Sequence, residues 1–599
     1  MVTRGLGPRP ARIVVSGLTA VVVGAAGLAT TVTSPATAAD PCVTAFPESG
    51  LTDGQAVEGL TVSKGTDPES GAFTGTISGA PLQDGIAPGV DLILAELTSP
   101  AVDKNGIWAG MSGSPVYADP EHTQLIGAVS YSLNEGSTHL AGITPASAML
   151  DLMPAPAATV AIPRKVADRL VADGVATRAQ LANGMRPLPT PIGVSGLTSR
   201  RFDQLAGWLD SQGPVANATI GSTTSTADAS DIVPGGNIAA SLGWGFVSAA
   251  AVGTVTAVCG NDVVAFGHPF NYTGDSTYSL HPADAVAIVP GATFGGYKLA
   301  NLGDRVGTIS DDHLAGIHGT FDAGPTAYDV SSTATYQGRT VSGTTHVTVA
   351  DLVTDAGLAN AFAASDRAMD KYGKGTARAS WTITGKRRSG AAFELTHSDV
   401  YTDTYDVSSA PLMDLAMQAY TLLENQSEAV TITGISTATT ISDEAVSWRI
   451  GRTYWRKNGA WKRVTAKSPA VVRAGRTANI RVELYSRDAA SRYVTVPVTA
   501  SRKSAGRTGR LALQGGFSGG EDYYFYDSSE EFVDAYGDSM VGGSVPESIP
   551  AVLEQLRADQ RNDTIASTFT VRGTATKKRS LALGQVVSGS VLVPVVVRP

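Results

Sequence analysis

Apolar and polar residues alternate along most of the chain in short runs broken by Gly, Asn, Asp, Ser and Pro, which is the pattern of strands and turns. Leu60-Thr61-Val62-Ser63, Phe73 to Ile77, Asp91 to Leu97 and Gln124 to Ser130 predict strands spaced as in a small barrel. Beyond residue 145 the period changes. Pro163 to Ala172 and Ser199 to Leu209 repeat at helical intervals, divided by the Pro-rich bend Arg186 to Pro191. Asn217 to Gly236 has no apolar period and predicts an exposed loop. Alternation returns at Val252 to Val258, Val263 to Phe266, Val306 to Ile309, Ala327 to Val349 and Thr376 to Thr384. Leu412, Leu415, Ala419, Leu422 and Leu423 place one amphipathic helix over Ser409 to Asn425. Strands follow at Val430 to Thr433 and Ala478 to Leu484, with a short helix near Ser548 to Ala558. Val586 to Val597 is interrupted by Ser588, Gly589, Ser590 and Pro594 and predicts a strand, not a bilayer span.

The predicted class is mainly β. A small β-barrel over 40–155 and a second β region over 237–325 are joined by a helical connector and loop over 156–236. A β region ending in a helix occupies 326–427, and a β-sandwich-like domain occupies 428–599. The composition agrees: 599 residues with 43% hydrophobic and 17% charged fill several cores, and 66 glycines suit many short turns.

At the N-terminus Arg4, Arg9 and Arg12 precede an apolar stretch from Ile13 to about Ala29, then small residues ending Ala36-Thr37-Ala38-Ala39. This order predicts a Sec-type signal peptide over 1–39, and hence a secreted, extracellular or cell-envelope protein; an uncleaved anchor is the alternative. Losing the three arginines would take the net charge from −9 to −12, which argues against nucleic acid, and no membrane association is expected once the signal is removed. The two cysteines, Cys42 and Cys259, are too few for a cysteine metal site, and export permits a disulfide between them. Neither a metal nor an organic cofactor is expected.

Candidate chemistry centres on Gly110-Met111-Ser112-Gly113-Ser114-Pro115. Glycines around a serine permit the tight backbone of a nucleophile turn. With Gly at −2, the backbone N–H groups of Gly110 and Ser112 can form an oxyanion hole, about 3 Å from the oxygen they hold. An ordinary Gly/Ser turn is the competing reading. A serine hydroxyl needs a base. Of the eight histidines, His268 has the most telling setting, because the apolar strand Val263 to Phe266 ends in Gly267-His268-Pro269. His122 falls in the turn Asp119-Pro120-Glu121-His122.

These segments resemble the SpoIVB peptidases, serine peptidases of the trypsin-like clan. The resemblance rests on three stretches within about residues 55 to 325. They are Gly110 to Pro115 with Leu125 to Val129 and Gly142-Ile143-Thr144-Pro145; Gly253-Thr254-Val255 through Gly267-His268-Pro269; and Val306 to Ile309 with Gly316-Ile317-His318-Gly319. The resemblance implies two trypsin-like barrels, Ser112 as nucleophile, His268 as base, and a protein or peptide substrate, the chain itself included. Two departures stand out. Ser112 precedes His268 by 156 residues, the reverse of the family order. Where the family approaches its serine through Thr-Asp-Pro, this chain has Thr98-Ser99-Pro100. The orienting acid is therefore open between Asp103, first, and Asp275 or Asp91. No PDZ-like segment precedes residue 55.

The expected function is thus an exported serine endopeptidase. The alternative is a peptidase-fold interaction protein with weak or no turnover. Trp448, Trp455 and Trp461 raise a third idea, polysaccharide binding, against the simpler reading as core or edge aromatics. The acidic, tyrosine-rich Glu521 to Asp538 reads as a solvated loop, without calcium-loop spacing.

Overall fold

The structure is a computed structural model that describes residues 43–133, 138–151, 162–182, 184–188, 192–209, 215–217, 225–290, 296–517, 548–572 and 576–599. The expected signal peptide, Cys42 and the acidic, tyrosine-rich segment lie outside the described residues. The protein is mainly β, 50% strand and 18% helix, with two closed six-stranded antiparallel barrels. Strands that close the barrels are numbered first.

The first barrel is formed by β1 (Ala56–Gly59), β2 (Phe73–Ile77), β3 (Val90–Thr98), β4 (Pro115–Tyr117), β5 (Gln124–Leu133) and β6 (Leu140–Pro145). The order β1-β2-β3-β6-β5-β4 returns to β1. The first strand therefore lies just ahead of the Leu60 to Ser63 run that the pattern suggested. Alternation along β3 splits its apolar run between two cores. Ile93, Ala95 and Leu97 fill the barrel with Trp108 and Met111. Leu92 and Leu94 face outward, against Leu170 and Leu181 of the connector helices Arg164–Ala172 and Arg178–Ala182. Each buried aliphatic contributes about 1.5–3 kcal/mol, so β3 anchors barrel and connector together.

The second barrel is formed by β7 (Asn237–Gly245), β8 (Ser248–Cys259), β9 (Asp262–Ala265), β10 (Gly274–Val289), β11 (Gly307–His313) and β12 (Gly316–Phe321). It closes in the order β7-β8-β9-β12-β11-β10. The strand Tyr297–Leu302 hangs from β10, outside the barrel. Cys259, at the end of β8, is disulfide-bonded.

From β7 the sheet runs on through β13 (Tyr328–Tyr336) and β14 (Arg339–Val347) to β15 (Gly375–Arg387), β16 (Ala392–Asp403) and β17 (Val430–Ser442), with β16 at its edge. Two helices, α1 (Val353–Met369) and α2 (Ala410–Leu423), cover it. The pattern missed α1 because small apolar residues surround it on almost every side and 13 of its 17 residues are buried, so no stripe stands out. The connector helix Ser199–Leu209 is tied to this layer by the buried Arg201, which bridges Asp366 and Asp406. The C-terminal region is a sandwich of two five-stranded sheets around one core. Trp448 and Trp455 pack into that core, and Trp461 lies under the Arg481 guanidinium.

Candidate active site

The Gly110–Pro115 segment ends in β4 and lies against the second barrel. Thr254 on β8 gives its N–H to the Ser112 carbonyl at 2.8 Å and its hydroxyl to the Gly110 carbonyl at 3.0 Å. Thr256 gives its hydroxyl to the Gly113 carbonyl at 2.8 Å. Thr254 and Thr256 of β8 thus clamp the serine segment from the other barrel. Gly113 has φ +92°, and a Cβ there would stand 2.0 Å from the Thr254 carbonyl oxygen, so glycine is required by conformation and by space.

His268 is delivered by a sharp bend. Phe266 leaves β9 at φ 71° and Gly267 continues at φ 70°, with the Gly267 N–H donating back to the Ala265 carbonyl at 2.9 Å. A γ-turn at a bulky residue stores strain, and the Phe266 ring buried in the second core supports it. The first barrel holds the bend in turn: Thr144 at the end of β6 donates its hydroxyl to the Gly267 carbonyl at 2.6 Å.

The two segments bring Ser112 and His268 together. His268 Nε2 lies 2.9 Å from Ser112 Oγ, and Nδ1 lies 2.8 Å from the carbonyl oxygen of Pro269. A carbonyl can only accept, so the neutral ring carries its proton on Nδ1 and turns the Nε2 lone pair toward the Ser112 hydroxyl. Both side chains are shut from solvent, 0% and 1% exposed. That burial lowers the His268 pKa to about 4, against the opposing pull of the Pro269 hydrogen bond.

The carbonyls that share peptide planes with the two expected oxyanion donors are each fixed. The Ala109 carbonyl accepts the Lys298 N–H at 2.9 Å, and the Met111 carbonyl accepts the Ser114 N–H at 3.0 Å and hydroxyl at 2.7 Å. In a trans peptide this turns the N–H groups of Gly110 and Ser112 the opposite way. Among the described residues neither donates to another protein group.

None of the three candidate aspartates meets His268. Asp103 accepts the Thr98 hydroxyl at 3.0 Å and lies 3.8 Å from His139. Asp91 accepts the Asp84 N–H at 2.9 Å. Asp275 sits exposed on β10, opposite Asp311. Where an acid was expected, Nδ1 finds a backbone carbonyl, and the carboxylate stands one peptide behind it. Asp312, on β11 and wholly buried, accepts the N–H groups of Phe270 and Asn271, each at 2.7 Å. The Phe270 N–H and the Pro269 C=O belong to one peptide group, so Asp312 pins the plane that pins the histidine. Its link to His268 spans 44 residues of sequence, and no local motif marks it.

Lys298 was also missed. Its buried ammonium donates to Asn237 Oδ1 at 2.8 Å, burial lowers its pKa to about 7, and its Cβ lies where a side chain at Gly110 would go. His318, in the third family-like stretch, has carboxylates at both ring nitrogens, Asp311 at 2.9 Å and Asp262 at 3.0 Å, but these contacts include no nucleophile. No protein-family model, curated protein or solved structure matches this chain.

Proposed function

We propose that the protein is an exported serine endopeptidase of the SpoIVB type, working through a Ser112–His268 dyad. The observation that carries this reading is the 2.9 Å contact between Ser112 Oγ and His268 Nε2, in the tautomer a general base needs. In the proposed reaction Oγ attacks a peptide carbonyl carbon as its proton passes to Nε2. The N–H groups of Gly110 and Ser112 stabilise the oxyanion. The C–N bond then breaks, the amine leaves with the proton from Nε2, and water hydrolyses the acyl-serine by the same steps. The Pro269 carbonyl orients the ring, and Asp312 holds that carbonyl.

The dyad is closed to solvent, so a substrate enters only when its cover parts, which favours few substrates and makes self-cleavage a natural first reaction. The same closure, and a carbonyl in place of a carboxylate at Nδ1, favour the second reading, an interaction protein with little turnover. A fluorophosphonate probe separates them. The peptidase reading expects labelling of the wild-type chain that Ser112→Ala abolishes; a wild type that reacts no better than Ser112→Ala overturns it.

A further inference from the structure

Another histidine, largely buried, lies far along the chain on the edge strand β16. His397 and Asp399, two residues apart, share one face of that strand, and Asp414 comes down to them from α2. His397 Nε2 is 4.0 Å from Asp399 Oδ2 and 3.6 Å from Asp414 Oδ2, too far for hydrogen bonds. The His397 side chain is only 10% exposed, and its Nε2 is buried with no hydrogen-bond partner. Leaving such a nitrogen unsatisfied costs about 1–3 kcal/mol. It faces two carboxylates without reaching either.

We propose that His397, Asp399 and Asp414 bind one divalent transition-metal ion of the Zn²⁺ kind. One donor atom from each residue lies within 4.8 Å of the other two. Zn²⁺ takes imidazole and carboxylate donors at about 2.0–2.2 Å, which sets neighbouring donors roughly 3.3–3.7 Å apart. The two histidine separations are at or near that range, and the remaining pair needs a contraction of no more than about 1.5 Å. An imidazole donor favours a transition metal over Ca²⁺ or Mg²⁺.

Each donor is held by neighbours, as ligands at a built site are. The His397 ring stacks on Trp381 at 4.7 Å, and Trp381 Nε1 donates to Gln418 at 3.0 Å. Asp399 accepts the N–H groups of Val400 at 2.7 Å and Asn562 at 2.9 Å. Asp414 accepts the Tyr401 hydroxyl at 2.5 Å. The nearby cation, Arg561, is hydrogen-bonded to Asp563 at 3.0 Å, and its charge also acts on Asp399 without a hydrogen bond to it. Because Asn562 follows the helix Ile549–Arg557 and leads into the sandwich, a bound ion would tie the edge of the central sheet to the entry of the C-terminal domain.

The full-length chain, stripped with EDTA and dialysed, is titrated with ZnCl₂ by calorimetry, and its metal content is read by mass spectrometry. One equivalent of Zn²⁺ is expected, with a higher melting temperature. His397→Ala should abolish uptake, and Asp414→Asn should weaken it about 10–100-fold. Asp414→Asn keeps the shape of the side chain and carries the test if His397→Ala does not fold by circular dichroism. No uptake by the wild type, uptake unchanged in the folded variants, or preference for Ca²⁺ would each overturn the site.

Discussion

The barrel interface around His268 and the junction around His397 both bury an imidazole, wholly at the first and for the most part at the second, and they differ in what surrounds it. At His268 both nitrogens are satisfied by groups without formal charge, a serine hydroxyl and a backbone carbonyl. At His397 two carboxylates stand near an unpartnered nitrogen. A neutral ring between a hydroxyl donor and a carbonyl acceptor can take a proton from one side while held from the other. A ring facing two anions and no donor is suited to share a cation with them. Burial alone assigns neither role; the partners do.

The contrast breaks most sharply with His268→Ala. Labelling of Ser112 by the fluorophosphonate should fall by about three orders of magnitude, while Zn²⁺ uptake stays at one equivalent. Loss of both together would mean that the two histidines report on one fold-wide property. A smaller effect is expected from Asp312→Asn, which loses one of the two acceptors that fix the Phe270 and Asn271 amides. If Asp312 positions the ring through the Pro269 peptide, kcat should drop about 10–100-fold with KM nearly unchanged, since the interaction matters most once the imidazolium forms. A purely structural role would instead lower the melting temperature and leave kcat per folded molecule intact.

The third test is pH. The folded-state pKa of His268 is lowered to about 4 by burial, from an ordinary value near 6.5. The base form therefore persists to unusually low pH, and the acid limb of labelling or kcat/KM should fall near pH 4–5. The unfolded chain binds this proton first, so stability declines as pH drops below about 6.5 and levels off below about 4, for a loss of roughly 3 kcal/mol from this group. An acid limb at pH 6.5–7 would show a solvated histidine and would bring the two sites closer in character than their surroundings suggest.

Much of the site was legible because its two ends are local. Gly110 and Gly113 mark a backbone at positive φ around Ser112, and an apolar strand ending in Gly-His marks His268. The acid was not legible, for a reason visible in Asp103. A carboxylate near the serine in sequence looked adequate, yet the ring is satisfied by its own neighbour's carbonyl. The carboxylate that matters reaches that carbonyl through a peptide plane, and contacts made through backbone amides leave no signature in residue type. Helix α1 escaped for a related reason: a helix buried on nearly all sides carries no polar face to set its period.

By itself, then, the sequence determined the mainly β class, several of the strands in each barrel, and the pair of residues on which the proposed chemistry rests, because alternation and glycine placement are dictated by local geometry. Only the tertiary structure decided that Thr254 and Thr144 lock each barrel's segment against the other, that Pro269 and Asp312 stand where an acid was expected, and that His397 faces two aspartates. The threonine clamps and the Asp312 contacts join residues tens to more than a hundred positions apart and are set by the packing of the barrels, whereas Asp414 meets the His397–Asp399 pair because a helix packs on the strand that carries them.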